Sequence, residues 1–248
     1  MSRTGPEFYD VETVFEHYSN HRDRADNPNE TIEQPILWEM IGDPSGFSVL
    51  DLGCGDARIA EAFKTAGAAR YVGIEGSVRM VKRSHERIDP NFAEVRHLKL
   101  ENFQPSPAEF DLIVSSLAFH YVEDIRSLFV KLHQALKPDG KLVFSVEHPV
   151  ITSCNSSLDT SPTRGAWTVD GYFERGPRQV RWMGDVVTKY HRTLQDFFEL
   201  LGQTGFQLEK FRESDPAPER FRDVDLWRRR RRIPLFLLMS ATKHGVRS

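Results

Sequence analysis

The stretch VLDLGCGDARIAEAF, Val49 to Phe63, runs an apolar segment into two glycines flanked by two aspartates. The apolar segment reads as a buried strand, and RIAEAFKTAG as the helix that follows it, stopping at Gly67. A glycine-rich turn between strand and helix usually cradles a phosphate, because the N–H groups of the helix start point at the ligand. Gly53 and Gly55 allow the sharp turn and a close backbone approach. The dinucleotide fingerprint nevertheless fails, since its third glycine would stand where the chain has Arg58. The phosphate-binding loop fails too, because no Gly-Lys-Ser/Thr follows. Asp51 and Asp56 add charge of the wrong sign for a phosphate. A carboxylate beside a pyrophosphate costs roughly a few kcal/mol at intermediate dielectric. A cationic ligand without phosphate fits better, although both aspartates also suit the N-terminus of a helix.

The alternation continues on both sides of this turn. RYVGIE, AEVRHLKL, FDLIVSS and KLVFSVEH read as the second to fifth strands. Ser77 caps a helix between the second and third strands, and Asp124 to Leu136 has helical apolar spacing, ended by KPDG. FQLEKFR and PLFLLMSATK add two strands after a helix near Leu194–Gly202. Alternating strands and helices imply a mostly parallel, seven-stranded α/β sheet with helices on both faces. Residues 1–45 read as an N-terminal helical cap. In it Asp10 is expected to start one helix, and Thr31 with Gln34 to form a capping box for the next. Residues 46–148 form the core. Residues 149–192, rich in glycine, proline, arginine and aromatics, read as an insertion or lid over the site, because they hold too few apolar residues for a core of their own. Residues 193–248 complete the sheet within a single domain.

The chain has 248 residues and a formal net charge of −3. That balance carries no general attraction to nucleic acid or to an anionic membrane. No signal peptide or membrane span is expected, and the two cysteines, Cys54 and Cys154, suit a reducing cytoplasm. Monomer and homodimer both remain open.

S-adenosylmethionine carries a sulfonium and an ammonium, the charges the acid-flanked turn favours. Glu75 ends the second strand about twenty residues beyond the turn, where an acid accepts hydrogen bonds from the hydroxyls of an adenosine ribose. VLDLGCGDARIA and YVGIEGSVRMV resemble the first two motifs of class I S-adenosylmethionine-dependent methyltransferases. FDLIVSSLAFHYVED and LHQALKPDGKLVFSVEHP resemble the branch related to ubiquinone and menaquinone methyltransferases. One departure is Ala57, where the family usually has glycine.

The resemblance implies a Rossmann-like fold and S-adenosyl-L-methionine as cofactor, leaving S-adenosyl-L-homocysteine. Asp51, Gly53 and Gly55 would hold the methionine moiety, and Glu75 the ribose, with Gly76 and Met80 lining the adenine. Glu101, Asn102 and Phe103 would meet the adenine amino edge, and Ser116 and Leu117 the sulfonium side. Tyr18 and Arg22 resemble residues that close over the cofactor carboxylate. Met80 reads more often as core, Phe103 alternatively as a loop anchor, and Arg22 equally as a solvated surface charge.

Methyl transfer needs alignment above all, and a base only where the acceptor must lose a proton. His120, His148 and His191 are the candidate bases, and each reads alternatively as a pocket-shaping hydrogen-bonding group. Tyr121, Glu147, Trp167, Tyr172, Trp182 and Tyr190 are candidate substrate contacts, suited to a small planar acceptor methylated at oxygen or nitrogen. No metal is expected, since VEHP offers too few acids for one. The run WRRRRR, ending at Arg232, reads as a solvated turn. Alternatively, Arg228 to Arg232 could grip RNA phosphates, or the fold could bind a partner without catalysis.

Overall fold

A computed structural model describes residues 3–24, 26–154 and 166–243. The middle of the expected insertion, residues 155–165, lies outside the described residues, as does the C-terminal end of the chain beyond 243.

The cap consists of α1 (Gly5–Tyr9), α2 (Glu12–Arg22), a wide helical turn at Asn29–Glu33 and α3 (Gln34–Ile41). Then follow β1 (Ser48–Leu52), α4 (Ala60–Thr65), β2 (Arg70–Glu75), α5 (Val78–His85), β3 (Ala93–His97) and β4 (Phe110–Ser116). α6 (Ile125–Ala135), β5 (Leu136–Glu147) and α7 (Pro149–Ser153) lead to a hairpin of β6 (Gly176–Trp182) and β7 (Asp185–His191). α8 (Leu194–Gln203), β8 (Phe206–Glu213), α9 (Val224–Arg230) and β9 (Phe236–Lys243) complete the chain. The seven-stranded sheet has the order β3-β2-β1-β4-β5-β9-β8. β1 to β5 pair in parallel, whereas β9 runs antiparallel to both β5 and β8.

Strand alternation divides the core into two layers. Leu50, Leu52, Ile74 and Ile113 pack under α6 and α8, while Val49, Tyr71, Leu112 and Val114 pack under α3, α4 and α5. A fully buried side chain of this size contributes about 1.5–3 kcal/mol. Helices as short as α4 and α5 are therefore held by packing, since peptides of that length are marginal alone. Ser77 caps α5 by accepting the Met80 N–H, and Asp124 caps α6 by accepting that of Ser127.

Local expectations differ from the structure in five places. Asp10 starts no helix; its carboxylate accepts from Ser77 Oγ at 2.7 Å and from the Arg79 N–H, tying the cap to α5. Thr31 and Gln34 form no capping box, because Thr31 Oγ1 donates back to the Asn27 carbonyl and Gln34 Nε2 donates to Glu33. The KPDG segment belongs to β5, whose irregular start carries a left-handed Asp139 with φ of 60°. Of WRRRRR, Trp227 to Arg230 continue a helix whose start is capped by Asp223, and only Arg231 and Arg232 lie in the turn. The insertion contains the β6–β7 hairpin, and it shares a small core with the cap through Phe8, Val14, Val180 and Val187.

Candidate active site

The strand order reverses between β1 and β4, where open α/β sheets bind ligands at the carboxyl ends of the strands. A cavity of about 820 Å³ occupies this position, roofed by α1, α2 and the hairpin. One end is formed by the glycine turn. Gly53 has φ of +73°, and a side chain there would collide with Ala118. A Cβ at Gly76 would come within 2.6 Å of Pro6 Cγ. Both positions therefore keep the chain close to its neighbours without filling the cavity. Ala57 sits left-handed with φ of 53°, the conformation the usual glycine would adopt freely.

Glu75 is buried and its carboxylate bridges two loops, accepting Gly55 N–H at 2.9 Å and Ser77 N–H at 2.7 Å. Burial raises its pKa, and these backbone hydrogen bonds oppose the rise. A carboxylate has about four lone-pair sites, so it retains capacity for hydroxyl donors. Asp51 accepts the Tyr71 hydroxyl at 2.6 Å. Burial pushes its pKa up to about 7, the Tyr71 hydrogen bond opposes this, and the charges of Glu75 and Glu33 add to it. Asp56 behaves otherwise. It faces Arg58 at 3.1 Å, Arg87 at 3.3 Å and Arg83 at 3.8 Å, so its charge is neutralised within the protein. The preference for a cationic ligand therefore rests on Asp51 and Glu75.

Tyr18, Arg22, Met80, Glu101, Ser116 and Leu117 also line the cavity. Arg22 pairs with Glu30 at 3.0 Å, while its Nη1 is buried without a hydrogen-bond partner among the described residues. A buried, unmatched guanidinium N–H is costly unless a ligand accepts it, and a carboxylate is its natural complement. The glycine cradle, the carboxylate of Glu75 and this donor together fit S-adenosylmethionine. Asn102 and Phe103 do not line the cavity: Asn102 is exposed, and Phe103 is buried in the core layer under α6.

The other end is aromatic, with Tyr9, Tyr121, Trp167, Trp182 and Phe236. Tyr9 and Tyr121 meet hydroxyl to hydroxyl at 3.1 Å. Lys189 is 2% exposed; its Nζ lies 2.6 Å from Glu147 Oε1 and over the rings of Tyr121 and Trp182 at 5.7 and 5.5 Å. This pairing opposes the effects of burial, so Glu147 titrates below and Lys189 above its usual range.

The three histidines separate. His120 lines the cavity, and burial lowers its pKa to about 3. Its Nδ1 accepts the Glu147 N–H at 3.4 Å, which assigns the proton of the neutral ring to Nε2. His120 is thus a hydrogen-bond donor at neutral pH rather than a base. His148 lies outside the cavity: Nδ1 caps α7 by accepting the Val150 N–H, and Nε2 meets Glu213 at 2.9 Å. His191 also lies outside, with Nδ1 taken by Thr152 Oγ1 and Nε2 by the Tyr172 carbonyl. Of the expected substrate contacts, Tyr172 and Tyr190 are absent from the cavity wall. Tyr172 serves His191 and the start of α8, and the Tyr190 hydroxyl donates to Glu123. Strand alternation explains this: in β7, Val187, Lys189 and His191 face inward, and Tyr190 faces away. Sequence reasoning missed Tyr9, Gln34 and Trp38, which only tertiary packing brings to the cavity, and passed over Lys189 for its neighbours. No group of three or more His, Cys, Asp or Glu side chains able to hold a metal occurs among the described residues.

Residues 50–144 match the Methyltransferase domain family. The structure of an S-adenosylmethionine-dependent methyltransferase from Mesorhizobium loti is 32% identical, with a TM-score of 0.79 over 90% of this chain and 99% of that one. A Listeria monocytogenes structure is 33% identical, with a TM-score of 0.78 over 86% of this chain and 97% of its own. An uncharacterized Haemophilus influenzae protein is 31% identical over 216 residues, 83% of this chain and 85% of that protein. The chain belongs to the class I S-adenosylmethionine-dependent methyltransferases. It is an enzyme of methyl transfer, and S-adenosylmethionine is its cofactor.

Proposed function

We propose that this enzyme methylates an oxygen or nitrogen of a small planar or aromatic metabolite. The observation that carries the reading is the continuity of one cavity from the acid-lined glycine turn to the aromatic end beneath the hairpin. The bound cofactor supplies the methyl group on a sulfonium. In this reading Arg22 and Tyr18 close over its carboxylate end, Asp51 answers its positive charge, and Glu75 fixes the ribose. Gly76, Met80 and Glu101 border the base, and Ser116 and Leu117 lie beside the transferring group.

Tyr121, Trp167 and Trp182 hold the acceptor's flat face. His120 Nε2–H donates to an acceptor oxygen or ring nitrogen. Glu147, held by Lys189, accepts a hydrogen bond from the hydroxyl or amine to be methylated and so orients its lone pair. Rings and hairpin exclude water, so alignment supplies most of the rate. A binding-only relative would have a side chain filling the cofactor end, whereas the cavity extends through it.

Incubation with isotopically labelled S-adenosylmethionine and a metabolite panel, read by mass spectrometry, tests the reading. A labelled planar product supports it; transfer only to protein or RNA overturns it. One observation favours RNA as the alternative acceptor: Arg220 and Arg230, the last arginine of α9, line the cavity. Against it, Arg228 and Arg231 are paired with Asp225 and Asp215. An RNA acceptor requires binding that weakens steeply with salt and depends on Arg228–Arg232.

A further inference from the structure

Glu33 is wholly buried at the end of the wide turn before α3. Three side-chain donors converge on it. Ser145 Oγ lies 2.6 Å and Ser116 Oγ 2.9 Å from Oε1, and Gln34 Nε2 lies 2.8 Å from Oε2. The Ser145 hydroxyl in turn accepts the Leu117 N–H at 3.0 Å. Leu117 has φ of 54°, a left-handed conformation that is strained for a large side chain and persists only where its surroundings impose it. Gln34, Ser116 and Leu117 line the cavity, so Glu33 stands one hydrogen bond behind its wall. Burial holds the Glu33 pKa above the usual carboxylate value, and the hydrogen bonds from the two serines and Gln34, with the nearby charge of Arg22, limit that rise. Three donors directed at one carboxyl group favour its ionised form.

We propose that Glu33 is a positioning and discriminating residue. Its network fixes the Ser116–Leu117 turn, and its charge favours the sulfonium-bearing donor over the product, whose sulfur is neutral. The inference depends on the cofactor and is independent of the identity of the acceptor. Binding of the donor and release of the product are then separated by a charge outside the cavity wall. Unit charges about 10 Å apart at an effective dielectric of about 20 interact by the equivalent of roughly tenfold in affinity.

Calorimetric titration of the full chain with S-adenosylmethionine and with S-adenosylhomocysteine tests this. Glu33→Gln keeps the shape and removes the charge. It should weaken S-adenosylmethionine about tenfold and S-adenosylhomocysteine less than about twofold. A second variant, Glu33→Met with Ser145→Ala, removes the charge together with one of its donors, and Leu117 N–H keeps the Ser145 carbonyl at 3.1 Å. It should shift the ratio in the same direction. If a folded variant weakens both ligands by the same factor, or neither, Glu33 has a structural role alone and the proposal is overturned.

Discussion

Replacing Asp51 with Asn tests whether the glycine turn carries a buried acid out of its ordinary range. In the folded chain the Asp51 pKa is raised from 3.8 to about 7, chiefly by burial. The native state therefore holds this proton more tightly than the unfolded chain does. The group costs nothing well below its unfolded pKa, and the cost grows as pH rises towards the folded value, where it levels off. A shift of about three units corresponds to about 4 kcal/mol. Asn keeps the size and removes the titration. The stability of Asp51→Asn minus that of the parent should then increase by about 4 kcal/mol between pH 4 and pH 8. In a chain of this size that is a relative gain of roughly 10 °C in melting temperature. Scanning calorimetry at intervals of pH measures it, and the subtraction removes the contributions of titrating groups that do not sense the Asp51 charge. Parallel stability curves for the two proteins would refute the reasoning. A cationic ligand draws Asp51 towards its ionised form, so S-adenosylmethionine binding near pH 7 should release a fraction of a proton, read by calorimetry in buffers of different ionisation enthalpy.

Glu75→Ala removes the acceptor of the Gly55 and Ser77 N–H groups along with the proposed ribose contact. Cofactor affinity should fall at least tenfold, since a hydrogen bond to a charged group is worth about 1.5–3 kcal/mol; calorimetry showing unchanged affinity would remove the ribose assignment. Lys189→Met leaves Glu147 without its ion-pair partner and should cost about 3 kcal/mol in urea unfolding. Adding Glu147→Gln should recover much of that loss, and strictly additive costs would show that the pair is not coupled.

Much of the fold was legible because its signals are local. The strand before Gly53, the Ser77 and Asp124 caps and the apolar spacing of α6 each follow from neighbouring residues. The α/β class, the cofactor and the glycine turn rest on such patterns. Asp56 shows the limit of this reading: its charge was visible, but the arginines that neutralise it arrive from α5 and its surroundings as well as from Arg58. Asp10 and Thr31 have residue types suited to caps, and competing partners took them instead.

The sequence by itself determined where the chain turns sharply, which faces seek the core, and which strand ends carry the acids, because these depend on residue type and spacing along a few turns of chain. Only the tertiary structure decided what those groups meet. It turned Lys189 inward and Tyr190 outward, left His120 as a donor with His148 and His191 outside the cavity, and set Glu33 behind Ser116. Burial and distant partners fix a side chain's charge state and direction, and both arise from contacts between segments far apart in the chain.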